Sequence, residues 1–316
     1  MSTVLIMRSC GPDLRSYKEF QWPEAGPVAA PAWEATENCG NGLHGFLWGE
    51  GDYNLANKAP DAKWLVVETD GANVIDLGGK VKFPSGTVVF CGEAKSAAAY
   101  IQANGGAGKK VIHGTATAGY AGTATAGARG TATAGDAGTA TAGYAGTATA
   151  GAYGTATAGA RGTATAGAYG TATAGAYGTA TAGYGGTATA GDAGTATAGD
   201  AGTATAGDAS TATAGDAGTA TAGARGTATA GDAGTATAGA RGTATAGAYG
   251  TATAGARGTA TAGYGGVICI QFWTGPRYKA KIAQVKDEDG DGQLEPNQAY
   301  KLNEAGEFVL VEGGAA

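Results

Sequence analysis

From Gly114 to Gly265 the chain repeats one eight-residue phrase, GTATAGxx, nineteen times, and only the last two places vary freely. One fixed place departs from the phrase once, where Ser210 replaces a glycine. A period this short and strict predicts a solenoid, because no single copy can bury a face without its neighbours. Within TATA the residues alternate, so a strand sends Thr to one side and Ala to the other. Thr inside would bury 38 hydroxyls, and each one left unpaired would cost about 1–3 kcal/mol. The expected arrangement is therefore Ala inside and Thr outside, with an interior so narrow that two sheets nearly touch. Such a core buries little area per residue, so a continuous hydrogen-bonded ladder must add to the packing. The glycines that flank each TATA are expected to supply left-handed angles at the corners.

Eight residues are too few to go round, so one coil should take two copies or three. The five repeat arginines, Arg129, Arg161, Arg225, Arg241 and Arg257, are separated by multiples of 16 and not of 24. Duplication of the gene in 16-residue blocks would give the same phase, but the two-sided coil fits best. The expected fold class is mainly β: a two-sided β-solenoid with a 16-residue coil. It would have about nine and a half coils and a length of roughly 45 Å, at about 4.8 Å per coil. One corner would stack Tyr120, Asp136, Tyr153, Tyr169, Tyr184, Asp200, Asp216, Asp232, Tyr249 and Tyr264. The other would carry the arginines with Tyr144, Tyr177, Asp192 and Asp208. Like charges one coil apart, as in Asp200-Asp216-Asp232 and Arg225-Arg241-Arg257, read as solubility and edge protection that adds nothing to stability. The Tyr rows, with Tyr153, Tyr169 and Tyr184 as the candidate seam, either stack on one another or mediate self-association.

Each flat face would present Thr-Ala-Thr, with its two Thr about 6.6–6.8 Å apart along the strand and repeating about every 4.8 Å across coils. The TxT strands, the alternating AGY turn and the 16-residue coil resemble the central repeats of bacterial ice-nucleation proteins. Similar Thr-x-Thr arrays form the ice-binding face of several β-solenoid antifreeze proteins. In those families the outward methyls and hydroxyls hold ordered water on a lattice that matches ice. By that resemblance the candidate ice- or water-binding residues are Thr115, Thr117, Thr123, Thr125, Thr131, Thr133, Thr139, Thr141, Thr147 and Thr149. They continue through Thr155, Thr157, Thr163, Thr165, Thr171, Thr173, Thr179, Thr181, Thr187 and Thr189. The resemblance covers the repeat, about half of the chain. The family repeat has a second half containing Ser and Leu, whereas both halves here read TAT. The array is also shorter than that of strong nucleators, which implies growth inhibition or weak nucleation. A scaffold, spacer or self-assembling rod fits the same composition, since Thr is a good exposed β residue.

The repeat is flanked by ordinary sequence. Residues 1–110 are expected to form an α+β cap domain, 111–266 the solenoid and 267–316 a small β-rich cap. Val4 to Met7, WLVVET and TVVFC read as strands, and EAKSAAAYIQA as a helix that glycines stop. VICIQFW, RYKAKIAQV, AYKL and EFVLVE read as four further strands. CGNGLHGFLWGEGD with DAKWLVVE, and FWTGPRYKAKIAQV, resemble uncharacterised domains that flank GTATAG-type repeats in bacterial and phage proteins.

Net charge is -6, without the basic footprint of a nucleic-acid partner or a membrane surface. No stretch is long enough to span a bilayer. The opening apolar run is too short for a signal peptide, so the expectation is a cytoplasmic chain with reduced thiols; export without a signal stays open. Cys10, Cys39, His44 and Cys91 could compose a Cys₃His zinc site, but the C-x4-H spacing is loose and buried free thiols are the expectation. His113, at the junction with the repeats, is expected to pack or cap. DEDGDGQLEPNQ opens like a calcium loop through Asp287, Asp289 and Asp291, yet Gln298 stands where a bidentate Glu belongs, so a solvated turn is expected. No nucleophile is spaced beside a base, and the chain is expected to be non-enzymatic and free of cofactors.

Overall fold

The computed structural model describes residues 3–16, 19–275 and 277–311. Its contacts divide the chain into two compact units. One runs through Thr117 and includes Ala124–Ala132; the other holds Ala118–Thr123 and everything from Thr133 onward.

The first unit is built on strands β1 (Thr3–Cys10), β2 (Gly26–Ala29), β3 (Leu43–Leu47), β4 (Lys63–Asp70), β5 (Ile75–Asp76), β6 (Val81–Phe83) and β7 (Ser85–Gly92), with helix α1 (Ala94–Ala103). The strands form one sheet in the order β2-β7-β4-β1-β3-β6-β5. Both faces are covered, which explains why β1 and β4 read as unbroken apolar runs instead of alternating ones. Leu5, Met7, Trp64 and Val66 face Ala97, Ala98 and Ile101 of α1. Ile6, Leu65 and Val67 point the other way, toward Trp22, Leu43, Val81 and Phe83. The helix also reaches the first repeat strand: Gln102 Nε2 donates to Thr115 O at 2.6 Å, and Gln102 Oε1 accepts from Thr115 N at 3.2 Å. One side-chain amide thereby stands in for the peptide of a missing coil at that edge.

The repeats form nineteen strands, β8 (Thr115–Ala118) to β26 (Thr259–Ala262), each starting eight residues after the last. Pairing is parallel and offset by 16, as in Thr163↔Thr179 and Ala164↔Ala180, so two eight-residue phrases make one coil. Even-numbered strands from β12 to β26 share one sheet, and odd-numbered ones from β11 to β25 the other. The inward alanines, for instance Ala172, Ala180 and Ala188, are fully buried, and the threonines lie on the outer faces.

The corners depart from the expectation about glycine. Left-handed φ falls on the second variable residue, as at Tyr153 (57°), Arg161 (61°) and Ala193 (53°), not on the flanking glycines. Seventeen of the nineteen corner residues in this conformation are non-glycine, with Gly185 and Gly265 the remainder. Every corner but the one ending at Ser210 closes as a hydrogen-bonded four-residue turn, Gly154 N donating to Gly151 O at 3.1 Å, with positive φ at its third residue as in a type II turn. The unfavourable angle is offset by a bond to the next coil, Tyr153 N to Ala168 O at 2.8 Å. The flanking residues are glycine because of close approach. A Cβ on Gly167 would lie 2.6 Å from Ala152 N, and one on Gly162 would lie 2.8 Å from both Ala158 Cβ and Gly146 O.

Ser210 occupies one of these tight places and is 5% exposed, its Oγ donating to Gly207 O. Ser210→Gly is expected to relieve the crowding and raise stability by up to about 1 kcal/mol despite the lost hydrogen bond. A urea midpoint below that of the parent would contradict this account.

Beyond the last repeat come β27 (Val267–Trp273), β28 (Tyr278–Gln284), β29 (Tyr300–Leu302) and β30 (Phe308–Leu310). β27 continues the parallel ladder, placing Ile268 and Ile270 in register with the inward Ala252 and Ala254, and then β28 pairs antiparallel on its far side. β29 meets β26 through Tyr300↔Ala260 and pairs with β30. Both ladders therefore end in antiparallel strands rather than in an open parallel edge.

Candidate functional site

The outward threonines form columns. On the even sheet Thr147, Thr163, Thr179 and Thr195 stand in register, with Thr149, Thr165, Thr181 and Thr197 in a parallel column beside them. The odd sheet repeats this with Thr155, Thr171 and Thr187, and with Thr157, Thr173 and Thr189. In most strands the first Thr is exposed and the second half-buried. The candidate residues from Thr115 to Thr189 all lie on outer surfaces, and the arrangement continues to Thr259 and Thr261. β27 ends it on the odd sheet, where Val267 and Cys269 take the outward places.

The corners sort as the arginine phase implies. Tyr153 and Tyr169 stack with ring centroids 5.2 Å apart and planes 10° from parallel, and Tyr184 meets Tyr169 edge-on at 5.4 Å. All three are more than half exposed. At the opposite corner the Arg161 guanidinium lies 5.5 Å from the centre of the Tyr177 ring.

The aspartates correct a second expectation, that corner charges contribute nothing. Asp136, Asp192, Asp200, Asp208, Asp216 and Asp232 each accept, through Oδ1, the backbone N–H sixteen residues on, at 2.8–3.1 Å. That N–H belongs to the first corner residue, whose carbonyl accepts from the second corner residue of the preceding coil but whose own N–H takes no part in that ladder. A carboxylate acceptor makes the stronger kind of hydrogen bond. The arrangement offsets the mutual repulsion of Asp200, Asp216 and Asp232. It also accounts for Asp occurring only at the first variable place.

The other predicted groups do not assemble a metal centre. Asp287 Oδ1 accepts from the backbone N–H of Asp289 and Asp291 at 3.1 and 2.9 Å, so this carboxylate is engaged by its own turn. Cys10 is buried, Cys39 exposed and Cys91 half-buried. Among the described residues no group of three or more His, Cys, Asp or Glu side chains is placed to hold a metal ion. His113 packs edge-on against Tyr53 and Trp64, and burial, helped by Arg129 and Lys95, pushes its pKa down to about 4. His44 is lowered to about 4 as well, by burial and then by Lys80, Arg8 and Lys82. Both rings are neutral at pH 7. Of the Cys₃His set weighed from the sequence, the fold brings Cys39 and His44 together, with Cys39 Sγ 3.9 Å from His44 Nε2.

Fold and faces define a two-sided β-solenoid whose surfaces are Thr-x-Thr arrays, and in this the chain resembles ice-nucleation repeat proteins. It is 35% identical over 105 residues to the ice nucleation protein of Pseudomonas syringae, a match covering 33% of this chain and 9% of that protein. It is 36% identical over 103 residues to the ice nucleation protein of Xanthomonas campestris pv. translucens, covering 32% and 7% respectively. Against ice nucleation protein InaU of Pantoea ananas the identity is 34% over 100 residues, covering 31% and 10%. The chain thus spans only a small part of the length of the relatives it matches. Residues 4–102, less than half of the chain, match the family model described as Domain of unknown function (DUF7666). No solved structure is significantly similar to the chain.

Proposed function

We propose that this is a non-enzymatic protein whose outward Thr-x-Thr columns order water and engage ice, limiting crystal growth or nucleating weakly. The observation that carries the reading is the register: from β11 to β25 on one sheet and from β12 to β26 on the other, each coil adds one Thr pair directly above the last. Rigid spacing along the strand and across coils fixes methyl and hydroxyl groups on a lattice, which an irregular Thr-rich surface does not do. The names of the similar proteins support the same direction. Self-association through the exposed Tyr153, Tyr169 and Tyr184 column belongs to the proposal, since it would enlarge the ordered face.

The test is ice-crystal shape and the gap between melting and freezing in the presence of the purified chain. Thr163→Lys, Thr179→Lys and Thr195→Lys together alter one sheet; Thr155→Lys, Thr171→Lys and Thr187→Lys alter the other. Either triple variant is expected to keep faceting, because one face remains whole. The six-fold variant, checked for folding by circular dichroism, is expected to lose both faceting and the freezing gap. Rounded, freely growing crystals and unchanged droplet freezing with the parent would instead favour a structural rod or spacer.

A further inference from the structure

The N-terminal unit carries a cavity of about 740 Å³ that the threonine faces do not involve. Its lining includes Arg8, Cys39, His44 and Lys80 together with Phe20 and Trp22, and the Arg8 guanidinium lies 5.7 Å from the centre of the Trp22 ring. These residues come from distant parts of the chain, and the pairing of β1 with β3 and of β3 with β6 brings them together. Arg8 Nη1 donates to His44 O at 3.2 Å, Cys39 Sγ lies 3.9 Å from His44 Nε2, and Lys80 Nζ donates to Cys39 Sγ at 3.2 Å. The four residues are thus one contiguous group, with Arg8 joined to it through the His44 carbonyl.

The group has a surplus of positive charge. Beside it, Lys82 is completely buried, its ammonium donating to Asn38 O at 2.9 Å and to Thr36 Oγ1 at 3.5 Å. Gly42 makes room for that lysine, since a Cβ there would lie 2.6 Å from Lys82 Cγ. Among the described residues, no carboxylate forms an ion pair with Arg8, Lys80 or Lys82; the pairs present are those of Arg15 with Asp13 and Glu19, and of Lys286 with Glu295. Arg8 Nε is sealed from solvent and finds no hydrogen-bond partner among the described residues. Burial first, and then Lys80, Arg8 and Lys82, lower the His44 pKa to about 4, so the imidazole is neutral at pH 7 and adds no charge of its own. Two cations lining a concave site without a paired carboxylate, with a third buried beside them, concentrate anions there, and a guanidinium presents donors suited to a planar oxyanion. A cavity of this size suits a small organic molecule.

We propose that this cavity binds a small oxyanion-bearing ligand, its phosphate or carboxylate group set between Arg8 and Lys80 and its apolar part toward Phe20 and Trp22. The site is separate from the ice-facing threonines, so it gives the N-terminal unit a binding function of its own.

Cys39 reports on the site because its thiol stands at the mouth of the charged group. The experiment measures alkylation of Cys39 in the full chain by anionic iodoacetate and by neutral iodoacetamide, each quantified by mass spectrometry, with glutathione as the reference thiol. The ratio of iodoacetate rate to iodoacetamide rate is expected to be about tenfold higher at Cys39 than at glutathione, as charge focusing implies. Lys80→Gln, which removes a half-exposed side chain, should bring the ratio back toward the reference, and inorganic pyrophosphate at millimolar concentration should slow both reactions in the parent. A Cys39 ratio equal to that of glutathione overturns the proposal. So do rates indifferent to pyrophosphate. Both readouts come from the parent protein, so the test stands even if the variant folds poorly.

Discussion

Ala180→Leu, in the middle of the array, is expected to unfold the coils around it. Ala180 is fully buried and pairs in register with Ala164 and Ala196, so its neighbours on the ladder are equally small and equally enclosed. No larger side chain nearby can change rotamer to make room. Overpacking a well-filled core typically costs about 1–3 kcal/mol, and an interior made of methyl groups against backbone should sit at or beyond the upper end. The outward neighbour gives the control: Thr179→Leu faces solvent and should change stability by no more than about 0.5 kcal/mol. Urea unfolding followed by far-ultraviolet circular dichroism separates the two. If Ala180→Leu unfolds at the parent's midpoint, the interior is not close-packed as described. The chain itself uses larger inward residues only beyond the repeats, at Ile268 and Ile270.

The second large effect concerns glycine. A Cβ added at Gly175 would lie 2.7 Å from Ala160 N, 2.9 Å from Ala160 Cα and 3.1 Å from Gly159 C, all backbone atoms of the preceding coil. Gly175→Ala must push two coils apart or twist the corner, and a loss of about 1–3 kcal/mol is expected. Gly185→Ala is the informative comparison. Gly185 has φ of +62°, and the nearest atom to its added Cβ would be Tyr169 Cε1, on a side chain that can move. Equivalent corners already hold Ala, Arg or Tyr at this angle. Preference for glycine at positive φ would make Gly185→Ala the worse substitution; close approach makes Gly175→Ala the worse. Equal midpoints for the two variants would remove the distinction.

That contrast also shows what the sequence could and could not disclose. The coil length was legible because Arg129, Arg161, Arg225, Arg241 and Arg257 share a 16-residue phase, and the inward face because alanine avoids the cost of buried hydroxyls. The reason for the glycines was not. Glycine answers two different needs, a left-handed angle or the absence of a Cβ, and composition does not say which applies. The role of Asp136 and its equivalents was half visible. Their confinement to the first corner place was in the sequence, but the acceptor geometry to Ala152 and its counterparts required coordinates. In the flanking domain β1, β4, β7 and helix α1 could be read from apolar runs, whereas the shorter β2, β3, β5 and β6 could not. The group of Arg8, His44, Cys39 and Lys80 could not, because sheet pairing joins residues 36 and 41 places apart.

Because partners in the ladder are always sixteen residues apart, the array has a parity. Removing or adding sixteen residues returns every later side chain to the same sheet and the same corner, so length can change without altering what either edge displays. A step of eight leaves each Thr outside and each Ala inside, yet exchanges the two edges for the whole remaining chain. The arginine column would then pass to the tyrosine side, and Tyr153 would no longer find Tyr169 above it. Growth of such a protein is therefore quantised, in whole coils where the edges matter and in half coils where only the flat faces do.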